Sequence, residues 1–140
     1  MGRLSLNREF LLRHLGVALL MAALGGWFLY DGAVAYPARG EPPQKCARQL
    51  QFSALLLLVA AGVGAHLWKV KRETLVWDER EMNGSLTQGR PAAFADVREI
   101  RDARWARDGI LVVVMADGRR IRLDAWHHPE VNELVKKLKN

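Results

Sequence analysis

Two long stretches without a charged side chain constrain what this chain can fold into. Residues 15–30 have the sequence LGVALLMAALGGWFLY, and residues 50–68 contain only three polar side chains. As a helix, the second stretch is about 28 Å long, close to the hydrocarbon thickness of a bilayer. In each helix, apolar residues occupy the whole circumference, so no polar face remains for water. The sequence therefore predicts transmembrane helices at residues 10–30 and 50–68, joined by an outer loop at residues 31–49.

A cleaved secretory signal peptide is the alternative for the first stretch. Three arginines precede it, and residues 33–35 (Ala-Val-Ala) have the small-x-small pattern of a cleavage site. However, the apolar stretch is long for a signal peptide. The aromatic residues Trp27, Phe28 and Tyr30 are typical of a belt at a membrane surface. These features favour a retained transmembrane helix.

The number of Lys and Arg residues in the flanking segments predicts the orientation. Seven basic residues flank the outer ends of the two stretches, and three lie in the loop between them. Basic flanks face the cytoplasm. The sequence therefore predicts that residues 1–9 and 69–140 are both cytoplasmic. The loop contains Pro37, Pro42 and Pro43, which predict an extended connection without helix.

Small residues recur at four-residue spacing in both stretches. They are Ala18, Ala22 and Gly26 in the first, and Ala60 and Gly64 in the second. This spacing lets helix backbones approach closely. The pattern predicts either a seam along which the helical hairpin closes on itself or a contact with a partner subunit. The general richness of membrane helices in Ala and Gly accounts for it equally well.

Charge is concentrated after the second stretch. Residues 69–140 carry 27 of the 36 charged side chains, and both signs are interspersed there. This pattern does not predict nucleic-acid binding, in spite of the net charge of +6. The basic residues beside the second stretch would be attracted to anionic lipid headgroups. The candidate lipid or partner contacts are Lys69, Lys71, Arg72, Arg104, Arg107, Arg119, Arg120 and Arg122.

A β-hairpin is the clearest element of the polar segment. The apolar run at residues 109–115 is followed by Asp117-Gly118, a pair that favours a tight turn. The first strand is apolar on both faces, which predicts a central strand. The second alternates, with Ile121 and Leu123 predicted to face the core.

The last segment, residues 129–139, has the pattern of an amphipathic helix. Its apolar residues are spaced i, i+3, i+4 and i+7, and Pro129 suits a first helical turn. These residues are Val131, Leu134, Val135 and Leu138. Three tryptophans are expected to add bulk to a small core, namely Trp77, Trp105 and Trp126. The predicted fold class is α+β: a two-helix transmembrane hairpin followed by a small antiparallel β domain that the C-terminal helix closes.

Three features from Phe94 to Leu138 resemble the C-terminal half of bacterial PH-like (pleckstrin-homology-like) domains, which often follow short transmembrane hairpins. They are an apolar-x-x-apolar strand with Trp105 after it, the hairpin at Asp117-Gly118, and the Asp-Ala-Trp step at residues 124–126. The resemblance covers about a third of the chain. It implies an interaction module and a location in the bacterial inner membrane. It does not imply inositide binding, because the basic headgroup motif has no counterpart here.

The same resemblance sets an expectation for the strand count. The first half of a PH-like domain supplies three or four strands. Residues 73–93 have room for about two. The resemblance therefore predicts a truncated barrel.

The residues do not form a recognisable catalytic or metal-binding motif. His127-His128 lie near Asp124, but no further ligands follow at zinc spacing, so a strand-to-helix connection is the preferred interpretation. Cys46 is alone and cannot form an internal disulfide. The glycine and serine patterns of nucleotide-binding loops and hydrolases are absent. We therefore expect no enzymatic activity, no cofactor and no metal.

Two functions follow from these patterns. The first is a non-enzymatic integral membrane protein that presents a PH-like interaction module at the cytoplasmic face. The alternative is an accessory or assembly subunit of a larger membrane complex, which contacts its partners through the small-residue helix faces. Transport by oligomerised hairpins is disfavoured, because the two stretches lack the buried polar groups of a pathway.

Overall fold

The chain divides into two units, one of which contains both of its ends. In the computed structural model, which describes residues 2–139, Leu11–Trp68 form one unit, called the helical unit. Met1–Phe10 and Lys69–Asn140 together form the other, called the β unit. The protein is therefore α+β, with two long apolar helices followed by antiparallel sheets.

Two long helices dominate the apolar part of the chain. Helix α1 spans Arg8–Tyr30 and continues through a π-helical turn, Asp31–Ala35, into the short helix α2, Tyr36–Ala38. Helix α3 spans Pro43–Lys71. Both are long and apolar enough to cross a membrane. Only 11% of the most apolar window of each is buried, so neither is the core helix of a soluble protein.

The connection between the helices is helical, so the predicted extended loop is wrong. Pro37 is the second residue of α2, and Pro43 is the first of α3. Proline is tolerated in the first turn of a helix, as Pro43 is in α3, because the N–H group that it lacks has no partner there; α2, which contains Pro37, instead follows directly on the π-helical turn. The polar residues 44–49 then extend α3 before the apolar stretch, since Gln, Lys, Ala and Arg are good helix formers.

The β unit contains two antiparallel sheets. The first has the strand order β1 (Gly2–Arg3), β2 (Val76–Trp77), β3 (Glu81–Asn83) and β4 (Ala92–Ala93). The second consists of β5 (Val97–Arg101), β6 (Ile110–Met115) and β7 (Arg120–Asp124). A short helix, α4 (Trp105–Asp108), precedes β6, and α5 (Val131–Lys139) follows β7.

The number of strands before β5 is larger than the sequence predicts. Residues 73–93 contain three strands rather than two, and the fourth strand of their sheet comes from the N-terminus, before α1. Gly2 lies opposite Trp77, and the Leu4 amide donates to the Leu75 carbonyl at 2.9 Å. A two-residue strand has no periodicity that a sequence can display, which is why the pattern analysis missed β1.

The predicted hairpin is confirmed. Strand β6 lies between β5 and β7, and Val113 of β6 is opposite Ile121 of β7. Ile121 and Leu123 are fully buried, whereas the alternate residues Arg120 and Arg122 are exposed. The alternation in the sequence therefore identified the core face of β7 correctly.

The core of the β unit joins both sheets to α5. Val131 and Leu134 of α5 are fully buried in it, together with Leu75 and Met82 of the first sheet. Trp77 belongs to this core, and Trp105 packs at its margin. The expectation that Trp126 adds to the core is wrong, because its side chain is 63% exposed.

Candidate interaction surfaces

The arginines predicted to contact lipid or a partner differ in how far the β unit already engages them. Arg119 donates to the carbonyls of Thr87, Arg90 and Pro91 at 3.0–3.2 Å and pairs with Asp117. Its side chain is only 16% exposed. Arg119 therefore ties the loop before β4 to the β6–β7 turn, and its prediction as a surface contact is corrected.

Two further arginines form an ion-paired cluster at α4. Arg104 lies 2.7 Å from the Asp108 carboxylate and Arg107 lies 2.9 Å from it. The Arg107 guanidinium has the largest effect on the pKa of Asp108, followed by that of Arg104, and together they lower it to about 2. Two guanidinium groups share one carboxylate, so the cluster keeps a net charge of +1 and both arginines remain mostly exposed.

Strand β7 carries an outward-facing basic pair. Arg120 and Arg122 are exposed on alternate positions, and Arg122 is 3.6 Å from the Asp124 carboxylate. Val112 and Val114 of β6 lie opposite them. Of the five arginines predicted for this region, these two are presented to the surroundings on a sheet face.

The basic residues at the end of α3 are also exposed. Lys69 and Lys71 belong to the last turn of the helix, and Arg72 follows it. Lys71 borders a cleft of about 440 Å³. The cleft is lined by Arg3, Leu4, Ser5, Leu6, Lys71, Glu73, Thr74 and His128. Residues of the N-terminal segment and of the segment after α3 thus line the same cleft. The sequence did not predict this arrangement.

The helical unit closes along a seam that agrees only in part with the predicted one, because Ala18 and Ala60 are half-buried whereas Ala22, Gly26 and Gly64 are exposed. A Cβ atom on Gly25 would lie 2.8 Å from Leu57, and the Ser53 hydroxyl donates to the Gly25 carbonyl at 2.8 Å. Gly32 makes a similar close approach to residues 46–50. In contrast, a Cβ on Gly26 or Gly64 would meet nothing within 4 Å.

The predicted role of Gly26 and Gly64 in closing the hairpin is therefore wrong. Gly25 is about 100° from Gly26 around the helix but only about 20° from Ala18, so the contact face contains half-buried Ala18 and buried Gly25, while Ala22 and Gly26 are exposed. Spacing alone does not say which face meets the partner helix. The buried Ser53 was a usable signal, because a polar side chain in an apolar helix needs an acceptor.

A set of hydrogen bonds attaches the N-terminus to the segment between β7 and α5; we call it the N-terminal clamp. The Asn7 amide donates to the His127 carbonyl at 2.8 Å, and the Asn7 side chain donates to the Trp126 carbonyl at 3.1 Å. Ser5 donates to the Glu130 carboxylate through its hydroxyl and through its amide. Asn7 also accepts from the Glu9 amide at 3.0 Å, which makes it the N-cap of α1.

A buried histidine lies beneath the clamp. The His128 side chain is 3% exposed, its Nδ1 is 2.8 Å from the Ser5 carbonyl, and its Nε2 is 3.5 Å from the Glu73 carboxylate. The Ser5 carbonyl can only accept, so Nδ1 carries a proton. Burial lowers the pKa of His128, but Glu73 and the Ser5 carbonyl outweigh burial and raise it overall. In return, His128 and then His127 hold the pKa of Glu73 below its usual value against the effect of burial.

His127 has its own contacts beside this pair. Its ring packs 4.7 Å from the Phe10 ring, and its Nδ1 is 3.8 Å from Asp124 and 4.0 Å from Glu73. The two histidine rings are nearly perpendicular. In the part of the chain that the structure describes, no group of three or more His, Cys, Asp or Glu side chains is arranged to hold a metal ion.

Comparison with known proteins adds no assignment. No family model matches the chain, and no curated protein or solved structure matches it. Any function assigned to this chain therefore rests on its own residues and their geometry.

Proposed function

We propose that this chain is a non-enzymatic integral membrane protein of the bacterial inner membrane that presents a PH-like interaction module at the cytoplasmic face. The helical unit is the anchor. The β unit is the module, with the exposed pair Arg120 and Arg122 and the cleft beside the N-terminal clamp as its candidate contact surfaces.

The pairing of β1 with β2 carries this proposal. Strand β1 precedes α1 and strand β2 follows α3, yet the two belong to one sheet. A pair of spanning helices whose outer ends enter the same folded unit must have both ends on one side of the bilayer. Counting basic residues in the flanks, seven against three, places that side in the cytoplasm.

The same pairing argues against cleavage of the first apolar stretch. Leu4 is 6% exposed and belongs to the core of the β unit. Cleavage after residue 35 would remove both β1 and Leu4 from the unit. The retained, two-span topology agrees with a core that uses the N-terminus.

The strand arrangement supports a PH-like module. Residues 2–139 contain an antiparallel sheet of four strands, another of three, and a helix after the last strand that packs into the shared core. The resemblance at residues 94–138 implied the second sheet and this helix. The first sheet supplies the remaining strands once the N-terminus is counted.

Accessibility of single cysteines to an impermeant thiol reagent tests the topology. In a Cys46→Ser background, Gln44→Cys places a thiol at the start of α3, and Glu79→Cys places one on the exposed surface of the β unit. We expect intact spheroplasts to label position 44 only, and lysed membranes to label both positions. Labelling of both positions in intact spheroplasts would contradict the two-span topology.

Co-purification in mild detergent tests the interaction role. We expect the wild-type protein to retain a defined protein or lipid partner that is lost from the Arg120→Glu, Arg122→Glu variant. Glu79→Lys, a charge change elsewhere on the same unit, is the matched control and should retain it. Failure to retain any partner reproducibly would contradict the proposal of an interaction module.

An accessory or assembly subunit is the second candidate, because the hairpin leaves Gly26 and Gly64 open. Gly26→Leu with Gly64→Leu should release a partner subunit while the hairpin stays closed. Unchanged co-purification of that subunit would count against this candidate. Gly25→Leu is the contrasting variant, because it obstructs the contact inside the hairpin.

A further inference from the structure

Trp126 is a large apolar side chain that the β unit leaves outside its core. Among residues 2–139, the other exposed large hydrophobic residues all lie in the helical unit. Trp126 is 63% exposed, whereas Trp77 in the core of the same unit is 5% exposed. An indole in bulk water leaves most of its apolar surface hydrated, so its exposure requires an explanation.

The surrounding contacts hold Trp126 in a fixed position. Its amide donates to Asp124 at 3.0 Å, and its carbonyl accepts from the Asn7 side chain at 3.1 Å. A Cβ atom on Gly109 would lie 3.4 Å from the indole ring, so the ring rests against the Gly109 backbone. The backbone that carries the exposed ring is therefore held by hydrogen bonds at both its amide and its carbonyl.

A hydrogen bond connects the Trp126 backbone to the residue at which α1 begins. Asn7, which binds the Trp126 carbonyl, is also the N-cap of that helix. The apolar stretch predicted to span begins at residue 10, only three residues after Asn7, which is about 5 Å along a helix. Arg8, between them, is exposed.

We propose that Trp126 inserts into the interfacial region of the bilayer and fixes the β unit to the lipid surface at the point where α1 enters the membrane. This inference rests on the proposed function, because it requires α1 to be a membrane helix. Tryptophan is enriched at this depth, since its ring is apolar and its N–H group can bond to headgroups or water. Arg8, the first residue of α1, is exposed and would complement anionic headgroups.

The bilayer fits this side chain better than a protein partner does. Among residues 2–139 no other large hydrophobic side chain of the β unit is exposed, and the sequence neighbours Ala125 and His127 are only partly exposed. A protein interface that buries a tryptophan surrounds it with further contact residues. A lipid surface requires only an exposed ring on a segment tied to the start of α1, and the hydrogen bond from Asn7 to the Trp126 carbonyl provides that tie.

Depth-dependent fluorescence quenching in proteoliposomes tests the proposal. The first variant keeps Trp77 and Trp126 and replaces Trp27, Trp68 and Trp105 by Phe. The second also carries Trp126→Phe, so that the difference between the two reports Trp126 alone. A third keeps Trp77 and Trp68, a residue of the helical unit, as the control for membrane insertion. The near-UV circular dichroism of Trp77 reports folding in each variant.

We expect a nitroxide on the lipid headgroup to quench Trp126 at least about twofold more than a nitroxide near the end of the acyl chain, as for an interfacial tryptophan. Acrylamide in the water phase should quench it weakly. Strong acrylamide quenching without lipid quenching would overturn the proposal. Protection from both quenchers would also overturn it, because it would indicate a protein occupant. If neither lipid label quenches Trp68, the membrane anchor itself is contradicted.

Discussion

Leucine occupies opposite environments in the two units of this chain. In the helical unit, Leu58 is 71% exposed and Leu55 is 58% exposed, whereas Leu111 and Leu123 of the β unit are fully buried. Burial of a leucine side chain stabilises a fold by about 1.5–3 kcal/mol relative to exposure in water. The buried core therefore stabilises the β unit. The exposed leucines of the helical unit lie outside such a core, which agrees with the proposed membrane anchor.

Polar groups show the same contrast. In the helical unit, the hydroxyl of buried Ser53 donates to the Gly25 carbonyl and so links the two helices. In the β unit, buried His128 lies 2.8 Å from the Ser5 carbonyl and 3.5 Å from the carboxylate of half-buried Glu73. If the helical unit is the proposed membrane anchor, substitutions in the two units should have different consequences.

Removal of core volume gives the largest expected effect on the β unit. Leu111→Ala should lower the free energy of unfolding of this unit by about 2–5 kcal/mol, because it leaves a cavity in a fully buried site. Leu58→Ala, the matched change at an exposed site, should leave it unchanged. Thermal unfolding in detergent, followed by near-UV circular dichroism, measures both. Equal destabilisation by the two variants would contradict the contrast between the units.

A charge in the helical unit has the next largest effect, and it acts on membrane insertion. Leu58→Arg should reduce the fraction of protein that resists carbonate extraction, because arginine at the centre of a membrane helix costs about 2.5–3.5 kcal/mol on insertion scales. Arg72→Leu, outside the apolar stretch, is the control. Full retention of the Leu58→Arg protein in the membrane would argue against a spanning α3.

Obstruction of the helix seam should have a smaller effect. Gly25→Leu places a side chain where a Cβ atom alone would lie 2.8 Å from Leu57, so we expect a loss of about 1–3 kcal/mol in hairpin stability. Gly26→Leu meets open space and should cost little. Cross-linking of cysteines introduced at Phe28 and Phe52, whose rings are 6.2 Å apart, measures hairpin closure. If Gly26→Leu were the more disruptive variant, the seam would be misplaced.

The smallest effect is a pH dependence of the N-terminal clamp. The pKa of His128 is raised above its ordinary 6.5, so its contribution is complete below pH 6.5 and is lost as the pH rises through the higher native value. The pKa of Glu73 is lowered from 4.5, so its contribution is present above pH 4.5 and is lost as the pH falls through the lower native value. The clamp should therefore be strongest between these two limits.

Hydrogen exchange of the Leu4 amide, which bonds to Leu75 across β1 and β2, measures this dependence. After correction for the intrinsic effect of pH on exchange, protection should decrease as the pH rises above 6.5. His128→Gln should abolish that dependence, and His14→Gln, in the helical unit, should preserve it. Protection that increases steadily with pH would contradict the pairing of His128 with Glu73.

The local elements were predictable from the sequence, and the long-range ones were not. The β6–β7 hairpin follows from an alternating pattern around Asp117-Gly118, because its partners are neighbours in the chain. Strand β1 pairs with a segment more than seventy residues away, and its two residues carry no pattern. The rotation of α1 that selects Gly25 rather than Gly26 is set by packing and not by composition.

The candidate site was predictable only in part, for the same reason. The Asp-Ala-Trp step and the two histidines were visible, but their partners Ser5 and Asn7 lie before the first apolar helix. Exposure of Trp126 could not be inferred either, since a tryptophan in a small domain is usually expected in the core. Arg119 was counted as a surface cation because its carbonyl partners belong to a loop without a pattern.

A cross-strand disulfide tests most directly whether the N-terminus joins the β unit. Arg3 and Val76 lie opposite each other in the β1–β2 register. In a Cys46→Ser background, Arg3→Cys with Val76→Cys should form an intramolecular disulfide when isolated membranes are oxidised, and Arg3→Cys with Arg122→Cys should not. Absence of the 3–76 bond, or bonding only between molecules, would contradict a single unit built from both ends of the chain.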